Sequence, residues 1–225
     1  MARVKKAISA RKLSILLLLR SKDGSGRARQ PLEGLTRLQK LLFLIERRTS
    51  EWLQRDESFR FDFDFEAEKY GPADLGIYQD LEFLVGTGLV SERPNRVLVD
   101  QEGSRLQVEA PVRDEPAPWQ ELDEAFLSFE YLMGNETEGS MFASAEQSAI
   151  RVFELTDEGE ARLRKIRDSI PDSARPKFDR LATVCEEIRT EFGSLPLRNL
   201  IQVVYESYPM MTANSEILDE ISDRF

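Results

Sequence analysis

The chain has no histidine and a single cysteine, Cys185, among its 225 residues. Histidine is the commonest general base near neutral pH and, with cysteine, the usual ligand of zinc and iron. Their scarcity excludes His-dependent catalytic triads and argues against a zinc or iron–sulfur site. One cysteine cannot form an intramolecular disulfide, which points to a reducing compartment. Cys185 lies in register with the apolar face of a predicted helix, so we expect a buried, unreactive thiol.

Long apolar runs and nucleotide-binding glycine motifs are also missing. The run Leu13–Leu19 follows basic residues as in a signal peptide, but it ends at Arg20 with no small-residue cleavage site behind it. Seven residues are too few to span a bilayer, so we expect a buried helix, no membrane association and a cytoplasmic location. Gly86-Thr87-Gly88 lacks the third glycine of a dinucleotide fingerprint. We therefore expect no cofactor and, without a complete catalytic constellation, no enzymatic activity.

Charge is unevenly distributed along the chain. Residues 1–48 contain 13 Lys and Arg against 3 Asp and Glu, a net charge of +10, whereas the remainder contains 18 against 38, a net charge of −20. The asymmetry suggests an anionic partner such as nucleic acid for the N-terminal part. Alternatively, the basic part docks on the protein's own acidic remainder or on a second copy. The nucleic-acid candidates are Lys5, Lys6, Arg11, Lys12, Arg27, Arg29, Arg37 and Lys40.

The segment around Phe59–Phe65 alternates phenylalanine with polar residues and predicts a strand. Its polar face aligns four carboxylates, which favour Mg²⁺ as oxygen ligands but equally suit a solvated strand face. These are Asp62, Asp64, Glu66 and Glu68. A restriction-type nuclease needs one spacer residue between its acid and its lysine, and here Lys69 directly follows Glu68. We favour the solvated face and assign no metal site.

Helical patterns surround this strand. Thr36 and Gln39 have the spacing of a capping box at the start of a second helix, and Lys40 is expected on its basic outer face. Pro72 suits the first turn of a third helix, Ala73–Val85, which should end at Gly86 and Gly88. That helix carries Asp74, Asp80 and Glu82 and no Lys or Arg, so it is a poor reader of phosphate.

The order of these elements is typical of a winged helix. A strand begins at Leu89-Val90, a second strand ends at Leu155, and Thr156 is a good N-cap for the next helix. We predict a mainly helical α+β protein with a winged-helix-like core in residues 1–170. An insertion of about residues 91–150 lies in the wing, and residues 171–225 form a C-terminal helical extension packed on the core.

Three stretches of the sequence resemble Panacea-domain proteins, which include SocA-type antitoxins and phage-associated proteins, and the similar YwgA-like family. They are Leu35–Phe43, Phe65–Pro72 with its Tyr-Gly-Pro turn, and Tyr78–Leu81. Segment 155–159 adds weaker support, and segments 204–209 and 214–217 are more similar to the YwgA-like group. The resemblance implies a non-enzymatic protein of toxin–antitoxin, prophage or defence settings that binds another protein. The long insertion departs from the compact family pattern.

Two functional hypotheses follow. The first is an interaction or regulatory protein of toxin–antitoxin or phage-defence type. It would engage a partner (a toxin, a target of a protease adaptor or a defence component) through Tyr70, Gly71, Pro72 and Tyr78, although the turn also has a structural interpretation. The alternative is a nucleic-acid-binding winged-helix regulator that uses the basic residues of positions 1–48. A homodimer surface on the aromatic strand and C-terminal helices is a further hypothesis.

Overall fold

The fold is α+β and mainly helical. The computed structural model describes residues 8–53, 62–99, 105–109, 149–215 and 217–218. The helices within these ranges are α1 (Ala10–Arg20), α2 (Leu35–Leu53), α3 (Gly76–Gly86), α4 (Asp157–Ser169), α5 (Arg175–Phe192), α6 (Leu197–Ser207) and a 3₁₀ turn (Pro209–Thr212). The strands are β1 (Leu32–Glu33), β2 (Glu66–Glu68), β3 (Gly71–Ala73), β4 (Val90–Val99), β5 (Arg105–Glu109) and β6 (Ala149–Leu155).

Four strands form an antiparallel sheet in the order β1-β6-β4-β5. The register pairs Val90 of β4 with Leu155 of β6, and Leu32 of β1 with Phe153 of β6. Strands β4 and β6 are therefore neighbours although residues 100–148 lie between them in sequence. The predicted start of the insertion at residue 91 falls inside β4, which runs to Val99 and pairs with β5.

The hydrophobic core is one cluster built from α1 to α6 together with β1, β4 and β6. Helix α1 is its centre, because Leu13–Leu19 is buried on all sides and contacts α2, α3, α5 and β6. The predicted burial of this run is thus confirmed. Cys185 is fully buried on α5, and burial raises the pKa of its thiol, so the expected unreactive environment is also confirmed. None of the described helices is long and apolar enough to cross a membrane.

The predicted strand at Phe59–Phe65 is wrong for its described part, because residues 62–65 have no regular structure and β2 begins only at Glu66. The phenylalanines there still pack inward. The ring of Phe65 meets Phe43 of α2 edge-on at 5.3 Å and stacks on Phe63 at 5.1 Å. Ring packing, not strand pairing, thus holds this segment. Phe59 and Phe61 lie outside the described residues.

A two-stranded hairpin, β2–β3, places the Tyr-Gly-Pro turn against the C-terminal helices. Pro72 belongs to β3, paired with Ala67, and α3 begins only at Gly76, so the expected helical position of Pro72 is wrong. Gly71 has φ of +84°, and a Cβ added there would lie 2.7 Å from Cε1 of Tyr205 on α6. The side chain of Asn214 donates to the carbonyl of Ala67 at 2.7 Å, so the C-terminal segment also holds the hairpin.

The ends of two helices follow their sequence signals. Helix α3 ends at Gly86, and Gly88 adopts φ of +70°, the conformation that favours glycine after a helix. Thr156 caps α4 by accepting a hydrogen bond from the backbone N–H of Gly159 at 3.0 Å. Pro176 lies in the first turn of α5, where its missing backbone N–H would have no helical partner.

Three glycine-to-alanine substitutions separate backbone strain from the clash at the hairpin. Gly71→Ala combines a positive φ with the contact on Tyr205, so we expect it to lower the free energy of unfolding by about 3 kcal/mol. Gly88→Ala has the positive φ but open space, and should cost about 1 kcal/mol. Gly86→Ala has neither problem and should be neutral or stabilising. Urea denaturation measures all three, and equal effects at Gly71 and Gly88 would contradict the packing of Tyr205 on the turn.

Candidate functional site

Four charged side chains join α1 to the start of α3. Arg11 donates from Nε to the carboxylate of Asp80, and Lys12 donates to its other oxygen. Arg11 also reaches Oδ2 of Asp74 at 3.3 Å and the carbonyl of Asp62 at 2.8 Å. Asp74 and Asp80 are each only 3% exposed. Two carboxylates and two cations therefore compensate each other, and the carboxylates do not face solvent.

Asp74 organises the turn that leads into α3. Its carboxylate accepts hydrogen bonds from the backbone N–H groups of Gly76 at 2.7 Å and Asp64 at 3.1 Å. The side-chain amide of Gln39 bonds both backbone groups of Asp74, each at 3.1 Å. The predicted capping box with Thr36 is therefore wrong, since Gln39 fixes the hairpin exit and not the start of its own helix. Two backbone groups in a buried turn are satisfied in this way.

Lys40 is buried and not on an exposed basic face as predicted. It is 2% exposed, and its Nζ donates to the carbonyl of Pro72 at 2.9 Å. Burial lowers the pKa of Lys40 from its ordinary 10.5 to about 7, although nearby Glu68 acts in the opposite direction. Lys40 thus fastens β3 to α2 through the carbonyl of Pro72, and Gln39 does the same for Asp74, the residue after β3.

The outer side of α3 is exposed and carries no cation. Its residues Leu75, Gln79, Glu82 and Phe83 form what we call the exposed α3 face. Leu75 is 64% exposed and Phe83 is 51% exposed, and both belong to this outer side. The ammonium of Lys12 lies 5.3 Å from the centre of the Phe83 ring while it is paired with Asp80. The face therefore offers two apolar side chains separated by polar and acidic groups.

The four protein-interaction candidates are either buried or half-buried. Gly71 and Pro72 are buried, so their backbone shapes the hairpin and cannot itself form a contact surface. Tyr70 and Tyr78 are half-buried and pack against the hydrophobic core. The residues exposed nearby are Leu75, Gln79 and Phe83, which the sequence analysis did not single out.

Most nucleic-acid candidates within the described residues make intramolecular contacts. Besides Arg11, Lys12 and Lys40, Arg29 donates to Asp157 and to the carbonyl of Leu155, each at 2.9 Å. Arg37 donates to the carbonyls of Gly193 at 3.2 Å and Leu195 at 2.5 Å, at the end of α5. These contacts favour the reading in which the basic part docks on the protein's own acidic remainder.

The nucleic-acid candidates that remain are Arg27, Lys5 and Lys6. Arg27 is exposed and donates to the hydroxyl of Ser25 at 3.0 Å within its own loop. Lys5 and Lys6 lie outside the described residues.

A second arginine, Arg189 of α5, lies near Arg37. Burial, followed by repulsion from Arg37, lowers the pKa of Arg189 to about 10, and its Nη2 donates to the carbonyls of Gln30 and Pro31. Arg189 thus holds the loop before α2, and Arg37 holds the end of α5.

The four aligned carboxylates remain exposed. Asp62, Asp64, Glu66 and Glu68 are solvent-accessible beside the hairpin. Among the residues that the structure describes, no three His, Cys, Asp or Glu side chains are grouped to hold a metal ion. The backbones of Asp62 and Asp64 are hydrogen-bonded to Arg11 and Asp74, which ties this segment to the start of α3.

No protein-family model, no curated protein and no solved structure matches the chain.

Part of the site was readable from the sequence. Asp80 lies three residues after Ile77 and four before Leu84, which is the buried register of α3. A carboxylate in that register needs a buried cation, and only the fold shows that Arg11 and Lys12, almost 70 positions earlier, supply it.

Asp80→Asn should destabilise the protein because it leaves two cations without their shared carboxylate. We expect a loss of about 2–3 kcal/mol in the free energy of unfolding, below the full cost of breaking a buried pair because Arg11 and Lys12 keep some solvent access. Glu82→Gln, on the exposed side of the same helix, should change it by less than about 0.5 kcal/mol. Urea denaturation of both variants checks this, and an Asp80→Asn variant as stable as Glu82→Gln would refute the role of the ion network.

Lys40 should make stability rise with pH above neutrality. Its folded pKa of about 7 is below the ordinary 10.5, so the unfolded chain binds more protons there and the free energy of unfolding increases with pH. The gain between pH 7 and 8.5 is roughly 1–2 kcal/mol. Lys40→Met should remove this increment in urea titrations at the two pH values. The window ends near pH 8.5 because burial raises the pKa of Cys185, which acts in the opposite direction above it. Parallel pH profiles of variant and wild type would contradict the assignment.

Proposed function

We propose that this chain is a winged-helix-like protein that binds a partner protein through the exposed α3 face. The observation that carries the proposal is the exposure of Leu75 and Phe83 on a helix without a single cation. Apolar side chains displayed on a surface are typical of protein contacts, whereas nucleic-acid contacts depend on Lys and Arg.

The topology supports the winged-helix part of the proposal. Three helices, α1 to α3, precede the paired strands β4 and β6, and the short β1 adds to the outer edge of β6. In this arrangement α3 takes the place of the helix that enters the DNA major groove in winged-helix regulators. A helix in that place with exposed Leu75, Glu82 and Phe83 is suited to a protein groove instead.

The internal ion network supports the same conclusion. Asp74 and Asp80 hold Arg11 and Lys12 on the protein's own surface, so these cations are not available to phosphate without breaking buried pairs. The resemblance of the Gln39-Lys40 and Tyr-Gly-Pro motifs to Panacea-domain proteins suggests the setting. That setting is a non-enzymatic antitoxin or defence regulator, whose partner is a toxin, a target of a protease adaptor or a defence component.

Photocrosslinking in the native host tests the proposal. A benzoylphenylalanine introduced at Gln79, between Leu75 and Phe83, should form a discrete adduct that mass spectrometry identifies. Adding Leu75→Ser and Phe83→Ser should abolish the adduct because the apolar anchors are lost. The same crosslinker at Met210, which is 73% exposed elsewhere on the chain, is the matched control.

Two outcomes would contradict the proposal. One is an adduct at Gln79 that survives the double substitution, and the other is equal labelling from Met210. Salt-sensitive DNA binding by the wild type that falls on charge reversal of the exposed Arg27 would support the nucleic-acid alternative instead.

A further inference from the structure

The exposed α3 face lies within an acidic surface. Residues 62–86 contain seven carboxylates and one lysine, a net charge of −6. Arg11 and Lys12, which pair with Asp74 and Asp80, bring the sum to −4. Asp62, Asp64 and Glu82 are exposed, and no ion pair to them is found within the part of the chain that the structure describes.

Two of these carboxylates belong to a segment whose backbone is tied to the start of α3, and Glu82 belongs to α3 itself. The carbonyl of Asp62 accepts from Arg11 at 2.8 Å, and the Nη1 of Arg11 would lie 2.5 Å from a Cβ added to Gly76. The backbone of Asp64 donates to Asp74 at 3.1 Å. The backbone of segment 62–64 is therefore linked through Arg11 and Asp74 to the start of α3. Glu82 adjoins Phe83 at the other end.

We infer that the partner segment that occupies the exposed α3 face is a basic amphipathic helix. Leu75 and Phe83 are eight residues apart, about 12 Å along a helix, which matches apolar side chains spaced by two turns on an opposing helix. Lys and Arg flanking such a stripe would meet Asp62, Asp64 and Glu82, so charge and apolar pattern select the same ligand. This inference rests on the proposed function and adds the chemical class of the partner.

The ion network determines which carboxylates of this region can attract a cationic partner. Arg11 and Lys12 neutralise Asp74 and Asp80, so these two carboxylates do not attract further cations to the exposed α3 face. The attraction comes from the exposed carboxylates, and the remaining contact is apolar. A disordered polycation without apolar side chains should therefore bind weakly, whereas an acidic amphipathic helix should be repelled.

Binding of synthetic 18-residue peptides to the full chain tests the inference by fluorescence anisotropy. The three probes are an amphipathic Leu/Lys helix, a peptide of the same composition with the stripe scrambled, and an amphipathic Leu/Glu helix. We expect the first to bind at least about tenfold more tightly than either other probe, and to weaken as NaCl is raised from 50 to 300 mM.

Variants locate the binding site. Leu75→Ser/Phe83→Ser should weaken the Leu/Lys peptide at least about tenfold, and Asp62→Asn/Asp64→Asn should weaken it and reduce its salt dependence. Met210→Ser and Asp168→Asn/Asp172→Asn are the controls for apolar and acidic residues outside this surface, and should leave binding unchanged. Circular dichroism confirms that each variant is folded.

Several results would overturn the inference. These are equal binding of the scrambled peptide, preference for the Leu/Glu peptide, absence of binding by all three probes, and equal losses in the control variants. Each is distinguishable from failure of the proposed function, which the adduct at Gln79 reports separately. An adduct with a partner that presents an acidic segment would leave the proposed function standing and remove this inference.

Discussion

The ion network between α1 and α3 is the constraint on which the rest of the site depends. Asp80 sits in the buried register of α3 and is tolerated there because Arg11 and Lys12 reach it from α1. The same pairing fixes α3 against the central helix of the core. Because its inner side holds α3 in place, the exposed side chains of Leu75 and Phe83 on its outer side are not needed to fix the helix.

A second set of contacts positions the hairpin that leads into this helix. Gln39 and Lys40 of α2 bind backbone groups of Asp74 and Pro72, while Tyr205 of α6 fills the space beside Gly71. The Tyr-Gly-Pro turn is thus enclosed by helices from both ends of the chain. A motif that suggested a contact surface is in this structure a buried turn that fixes the hairpin leading into α3.

Periodicity predicted much of the fold, because apolar spacing reports which side of a helix is buried. Glycine and capping preferences predicted the end of α3 at Gly86 and the Thr156 cap, the order of elements predicted that β4 and β6 are partners, and periodicity predicted the burial of α1. It failed where a polar side chain is buried by distant partners, at Lys40 and at Gln39. Those partners are backbone groups brought close only by tertiary packing, which local pattern does not encode.

Net charge along the chain is consequently a poor guide to surface charge in this protein. The basic residues 1–48 suggested an anionic ligand, yet Arg29, Arg37 and Lys40 satisfy acceptors within the chain itself. The acids of α3 suggested repulsion of phosphate, and two of the three are likewise internal. The exposed groups of this region include the carboxylates of Asp62, Asp64 and Glu82 and the side chains of Leu75 and Phe83. Because internal pairing removes charge of both signs, the residual surface, and not the sequence total, determines the charge that the helix presents to solvent.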